Sequence, residues 1–258
     1  QRFLFEHFPK GTAFPPLQAP AITTDLPLAN VKAYSIDDSQ TTEIDDALSV
    51  QGLGSDRITV GIHIAAPALA LKPGDAIDLC GRARLSTVYM PGHKITMLPD
   101  SVVQSYTLSE GQACPAVSLY VTFGEADLDI QKTETKLERV PIRANLRHDQ
   151  LDQWVTPAWL DEASPATREG EPQLPIAHSE LAFFWRLAQH LKAGREVVRG
   201  KPESFNRPDY NFRLADLQSG EPVGEEIVQI SVRQRGAPLD LIVAEAMILA
   251  NSSWGQWL

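Results

Sequence analysis

The chain has 258 residues, 43% hydrophobic and 22% charged, a composition ordinary for a globular protein and sufficient for one large domain or two small ones. Its net charge of −10 is the wrong sign for a protein that coats nucleic acid by bulk attraction, although a local basic channel or bound metal can still hold a polyanion. Cys80 and Cys114 stand far apart and outside any CxxC pair, so neither a disulfide framework nor a zinc knuckle is implied.

Residues 1–30 carry Pro9, Pro15, Pro16, Pro20 and Pro27, which preclude a long helix, and read as a linker leading into a domain over 31–258. No apolar run approaches the roughly eighteen residues of a membrane helix. The opening residues also lack the apolar core and cleavage site of a signal peptide. The expectation is a soluble, cytoplasmic protein with no membrane contact. From 31 to 66 the pattern is strand ("VKAYSI"), acidic loop, strand ("ALSVQGL"), turn ("GSDR") and strand ("ITVGIHIA"), whose β-branched residues suit a pleated sheet. A short helix is predicted after Gly74, then an extended "TVYM" and a turn at Pro91-Gly92. Strands resume over about 115–143, followed by a polar loop at 164–175. In "HSELAFFWRLAQHLKAGREVVRGK", Ser179 is a candidate N-cap, and Leu181, Phe184, Leu187, Ala188 and Leu191 repeat at helical spacing. Strand patterns at "DYNFRL" and "EEIVQISV" precede a final apolar helix that carries Glu245 in its middle.

The stretch "AYSIDDSQTTEIDDALSV" gathers Asp37, Asp38, Glu43, Asp45 and Asp46 between two strands. Like charges this close disfavour one another's ionisation, so a cation, hydrogen bonds or open water must relieve them. The spacing fails the EF-hand pattern, because no glycine falls at its sharp turn and no bidentate Glu closes the loop. Asp45 and Asp46, adjacent at a strand start, project to opposite faces and so serve different purposes. Carboxylates without His or Cys make a hard oxygen site suited to Mg²⁺ or Mn²⁺, and such sites act on phosphates. A solvated acidic turn that merely joins two strands accounts for the charge pattern equally well. His63 reads as a satisfied sheet histidine rather than a catalyst.

"YSIDDSQTTEIDDALSV" resembles the metal-binding signature of the ribonuclease II (RNB) family of exoribonucleases, in which an Asp after a strand is followed by three more acids ending in Asp-Asp. The likeness continues through "VGIHIAAPALALKPGDAIDLCGRARLSTVYMPGHKITMLP" to "LIVAEAMILAN", in order and spacing, over residues 31–258. The resemblance implies an α+β fold, a mixed, mainly antiparallel sheet flanked by helices, with the metal site in a deep RNA channel. It implies that Asp37 and Asp46 bind the primary Mg²⁺, and that Glu43 and Asp45 complete the site around a second ion and the attacking water. Asp45 and Asp46 are the implied catalytic pair. Tyr89 matches the family tyrosine that stacks near the terminal nucleotide, Phe212 the aromatic that clamps it from the other side, and Glu245 a carboxylate near the 3′-terminal sugar.

The implied activity is processive 3′→5′ hydrolysis of single-stranded RNA to nucleoside 5′-monophosphates by a monomer. Arg82, Arg84, His93, Lys94, Arg233 and Arg235 are candidate cations along the RNA path, with ordinary surface charge as the alternative. Two departures stand out. Glu43 occupies a position where many family members carry Asp. The family domain also continues past the "MILAN" helix into an arginine-bearing segment, so the domain is expected to be partial at its C-terminal end. These departures motivate a second expectation, a non-catalytic RNA-binding or regulatory protein on the same fold; a phosphatase or DNA nuclease with a similar carboxylate site is a third.

Overall fold

The computed structural model describes every residue except 1, 10, 18, 19, 21, 23, 203–208, 216–225, 234–235 and 257–258, and the side chains of 3, 209 and 233. In chain order come helix α1 (Arg2–His7), strands β1 (Ala33–Asp37), β2 (Asp46–Gln51) and β3 (Arg57–Ala65), and helix α2 (Ala76–Arg84). Short strands β4 (Val88–Met90) and β5 (His93–Ile95), helix α3 (Asp100–Tyr106), and long strands β6 (Ala113–Gly124) and β7 (Ile130–Arg147) follow. Helices α4 (His148–Leu151), α5 (Pro157–Asp161) and α6 (His178–Arg199), strands β8 (Asp209–Leu214) and β9 (Val228–Arg233), and helix α7 (Pro238–Gly255) complete the chain. The fold is the expected α+β arrangement of a mainly antiparallel sheet with helices. Contacts divide it into one compact unit of 1–24, 67–106 and 207–233 and another of 25–66, 107–206 and 234–258.

The second unit is built on a closed barrel in the order β1-β2-β3-β6-β7. Every pairing is antiparallel except β7 with β1, where Ser35 lies opposite Asn145 and Asp37 opposite Arg147. Closure leaves no edge along these strands to pair with another chain. The β2–β3 hairpin turns at Gly52, with φ +82°, where a Cβ would stand 2.5 Å from the Arg57 carbonyl oxygen.

Period-two alternation gives the barrel two unlike faces. On one, Leu48, Ile62 and Leu119 lie side by side across β2, β3 and β6. They pack with Leu181, Phe184 and Leu187 of α6 and Ile242 and Leu249 of α7 in a single core. Burying each such side chain contributes about 1.5–3 kcal/mol. The helical spacing of α6 is as expected, but its N-cap is Ala177 rather than Ser179, which lies in the first turn. Glu180 takes over the capping task, its carboxylate accepting the Ala177 N–H at 3.1 Å, while Gly200 ends the helix at φ +72°.

The other face carries small and polar residues: Ala47, Ser49, Gly61, Ala116 and Ser118 surround His63. His63 is 0% exposed; its Nε2 lies 2.8 Å from Ser49 Oγ and its Nδ1 2.8 Å from Ser118 Oγ. It is the satisfied sheet histidine the sequence suggested. A Cβ on Gly61 would come within 2.5 Å of Ser49 Oγ and 2.7 Å of the His63 ring, so this row of side chains requires glycine there.

In the first unit, Asp75 caps α2 by accepting the Asp78 N–H at 2.7 Å. Arg84 stacks on Phe14 at 3.6 Å and donates to the carbonyls of Thr12 and Thr96 at 2.7 and 2.9 Å. The predicted turn at Pro91-Gly92 joins β4 to β5, and β8 pairs with β9 so that Phe212 faces Ile230. Both cysteines are free. Among the described residues no helix is long and apolar enough to cross a membrane.

Candidate active site

Asp37 closes β1 and Asp46 opens β2, so the hairpin loop between them carries the remaining acids at one end of the barrel. The loop is anchored at Ile44, 4% exposed, whose N–H donates to Thr107 Oγ1 at 2.7 Å and whose carbonyl accepts the Leu108 N–H at 3.0 Å. Its other shoulder is clamped from β7 and α4. Arg147 Nη1 donates to the carbonyls of Asp38 and Thr41 at 2.9 and 3.2 Å. Asp149 accepts from Ser39 twice, the N–H at 2.8 Å and the hydroxyl at 2.6 Å. Burial acts to raise the Asp149 carboxyl, but these Ser39 bonds outweigh it and hold the group below its usual range. Asp38 makes a turn by accepting the Gln40 N–H at 2.9 Å.

The acids divide by environment. Asp37 Oδ2 is buried without a hydrogen-bond partner. Burial raises the Asp37 carboxyl, against the lowering effects of its Ser35 hydrogen bond and of Arg147 and His148. Asp46 is pushed up to about 7, first by burial and then by the charges of Asp37 and Asp45. Asp45, beside it, is exposed, and its carbonyl accepts the Ala65 N–H at 2.8 Å. Glu43 is half-buried in the same loop. The fold thus brings Asp37 and Asp45 within electrostatic range of Asp46 and holds Asp37 and Asp46 partly out of water. Among the described residues no group of three or more His, Cys, Asp and Glu side chains is gathered closely enough to hold a metal ion by itself.

The other sequence-predicted residues sit on other elements of the chain. Tyr89 on β4 is 70% exposed and Phe212 on β8 is 51% exposed, both in the first compact unit, whereas the acids belong to the second. Glu245 is 2% exposed on α7 and forms an ion pair with Arg195 of α6. The partner that a carboxylate in an apolar helix requires is therefore supplied from within the protein. Arg82 pairs with Asp78 at 2.9 Å and Arg84 is consumed by its aromatic and carbonyl contacts, so both read as structural. Arg235 and the side chain of Arg233 lie outside the described residues. Sequence reasoning missed Arg147 and Asp149. Asp149 is 110 residues from Ser39, and no local pattern signals a contact made only when β7 closes onto β1.

The family model for the RNB domain matches residues 26–258. An uncharacterised ribonuclease of Synechocystis is 30% identical over 237 residues, covering 89% of this chain and 30% of that protein. Exoribonuclease 2 of Vibrio parahaemolyticus is 26% identical over 236 residues, 90% of this chain and 32% of its own. The chain thus spans about a third of the length of these curated relatives. Mycoplasma genitalium RNase R, solved with ribose-methylated single-stranded RNA, shares the fold at a TM-score of 0.68 and 16% identity, over 98% of this chain and 36% of that one.

Proposed function

The chain belongs to the RNB domain family, and from that membership we propose that it carries the carboxylate centre of a ribonuclease, a divalent-metal-dependent 3′→5′ exoribonuclease acting processively on single-stranded RNA. The observation that carries the reading is the pair Asp37 and Asp46: a buried oxygen without a partner beside a carboxyl pushed up to about 7 by burial and by its acidic neighbours. Such a pair is relieved by a cation. Oxygen-only donors fit Mg²⁺, which is commonly held by one or two carboxylates with water and substrate phosphate filling the remaining positions. A site short of three converging protein ligands is compatible with that habit.

In this reading Asp37 and Asp46 would hold the ion, with Glu43 and Asp45 completing its surroundings. The ion would supply a water of lowered pKa and neutralise charge on the scissile phosphate. Exposed Asp45 would orient the attacking water by accepting its hydrogen bond, while Arg147 and Asp149 hold the loop in place. Tyr89 and Phe212 stack terminal bases, tolerant of sequence because every base has a π-face. Glu245 acts through Arg195 rather than by direct contact. The products are nucleoside 5′-monophosphates, the setting is the cytoplasm and the working form a monomer.

The test uses the complete protein bearing this domain and 5′-labelled single-stranded RNA. Stepwise shortening from the 3′ end with Mg²⁺, abolished by chelator and by Asp45→Asn, is the expected result. Internal cleavage, or full activity in Asp45→Asn, would overturn it. A second reading, an RNA-binding protein without catalysis on the same fold, is motivated by Glu43, which stands where many family members carry Asp. That reading predicts RNA binding without shortening in the same assay.

A further inference from the structure

Across the parallel seam of the barrel, Ser35 lies opposite Asn145 and Asp37 opposite Arg147. Ser35 and Asp37, two residues apart on β1, share a face of the strand. Ser35 is 0% exposed, so its hydroxyl must find its partners within the protein. One comes from 110 residues away: Asn145 Nδ2 stands 2.8 Å from Ser35 Oγ. The same Nδ2 reaches the Leu108 carbonyl at 3.0 Å, while Asn145 Oδ1 accepts the Glu110 N–H at 2.9 Å. The Asn145 N–H donates in turn to Glu110 Oε2 at 3.0 Å, so residue 145 is gripped through both its backbone and its side chain.

These partners set the direction of each proton. A carbonyl only accepts and a backbone N–H only donates, so the amide cannot be turned over: its nitrogen must face Leu108 and its oxygen Glu110. Asn145 is therefore the donor to Ser35, and Ser35 Oγ the acceptor. The single hydrogen of Ser35 is left for another group, and Asp37 receives it, since a hydrogen bond with Ser35 acts to lower the Asp37 carboxyl. Asp37 Oδ2 is buried with no hydrogen-bond partner among the described residues, which puts that bond on Oδ1. The row from Asn145 through Ser35 engages one carboxylate oxygen and leaves the lone pairs of the other available to an ion.

We infer that Asn145 is a positioning residue for the metal centre, acting through Ser35 to orient the Asp37 carboxylate. The inference rests on the reading that Asp37 holds the ion. A carboxylate ligand serves an ion only while its lone pair points there, and a hydrogen bond to its other oxygen keeps the side chain from turning. Ser35 can supply that bond dependably only if its own hydrogen has nowhere else to go, and the Asn145 amide ensures this by occupying the acceptor side of the hydroxyl. The task differs from that of Arg147 and Asp149. Arg147 holds loop carbonyls and Asp149 holds Ser39, whereas Asn145 acts on the side chain of a ligand. Its grip on the Leu108 carbonyl serves the same end, because the Leu108 N–H in turn anchors the Ile44 carbonyl of the acidic loop at 3.0 Å.

The test is luminescence titration of the complete protein bearing this domain with Tb³⁺, with urea unfolding of each variant in divalent-free buffer to confirm that folded protein is titrated. Ser35→Ala leaves the Asn145 bonds to Leu108 and Glu110 in place and removes only the link to Asp37. Its Tb³⁺ affinity should fall about tenfold. Asn145→Asp keeps the size of the side chain but turns the donor into an acceptor, drawing the Ser35 hydrogen away from Asp37. Charge alone predicts tighter cation binding in that variant; the inference predicts binding weakened about tenfold or more. Combining Ser35→Ala with Asn145→Asp should weaken binding no further than Asn145→Asp does. Wild-type affinity in Ser35→Ala, tighter or unchanged binding in Asn145→Asp, or losses that multiply in the double variant overturn the inference. Asp37→Asn examines the underlying reading separately. Loss of the Tb³⁺ site there, with wild-type affinity in Ser35→Ala, overturns the inference alone, whereas wild-type affinity in Asp37→Asn overturns the reading and the inference with it.

Discussion

Acid should unfold this protein through His63. The imidazole is 0% exposed and burial pushes it down from 6.5 to about 3, while two serine hydroxyls engage its nitrogens. Unfolding releases it to titrate normally. Between those two values the unfolded chain binds a proton that the folded chain refuses. The contribution is therefore fully present above about pH 6.5 and is lost as pH falls toward about 3. At about 1.4 kcal/mol per pH unit, the loss is about 2 kcal/mol at pH 5 and approaches about 5 kcal/mol near pH 3. A domain stable by about 5–15 kcal/mol feels either loss. The assay is urea unfolding followed by tryptophan fluorescence from pH 8 to pH 4.5, in wild type and His63→Gln. Glutamine offers an amide donor and a carbonyl acceptor to the same serines but does not titrate. The variant is expected to be the less stable at pH 8, with the gap narrowing by about 2 kcal/mol at pH 5. Equal slopes in the two proteins would refute the reasoning.

Three more outcomes are expected. Asp46→Asn removes a carboxyl whose charged form the fold disfavours; because the folded value is raised to about 7, stability falls as pH rises through it. In divalent-free buffer at pH 8 the variant should melt above wild type, by up to about 4 kcal/mol, and Mg²⁺ should raise the melting temperature of wild type alone. Asp149→Ala deprives the Ser39 N–H and hydroxyl of their acceptor; fluorescence titration with Tb³⁺ should report about tenfold weaker binding at the acidic loop, with about 1 kcal/mol lost in global stability. Glu245→Ala removes the carboxylate that Arg195 pairs with at the α6–α7 interface; since Arg195 is 22% exposed and water can reach it, thermal denaturation should register about 2 kcal/mol rather than the larger cost of a fully buried pair.

Much of the acidic site was legible because its residues are neighbours in sequence. "SIDDSQTTEIDD" brackets itself between strands, and any hairpin joining them returns Asp46 to the side of Asp37. The helices α6 and α7 were legible for a similar reason: their apolar stripes are local periodicities. What could not be read was everything made by distant segments meeting. The clamp of Arg147 and Asp149 exists only because β7 pairs with β1, a parallel contact that seals the barrel. The N-cap of α6 fell on Ala177 instead of Ser179, because Glu180 could reach back to the exposed N–H there.

Glu245 shows the boundary well. Its sequence setting announced that a carboxylate among apolar residues needs a partner, yet only α6 packing on α7 supplied Arg195. By itself, then, the sequence determined the helix faces and which acids share a loop, since those follow from spacing along one segment, while the fold class was implied by a family resemblance carried by motifs in order along the chain. Tertiary structure alone decided the charge environment of those acids and the clamp that Arg147 and Asp149 place on their loop. Burial and long-range hydrogen bonds depend on which strands close together, and no single segment encodes that.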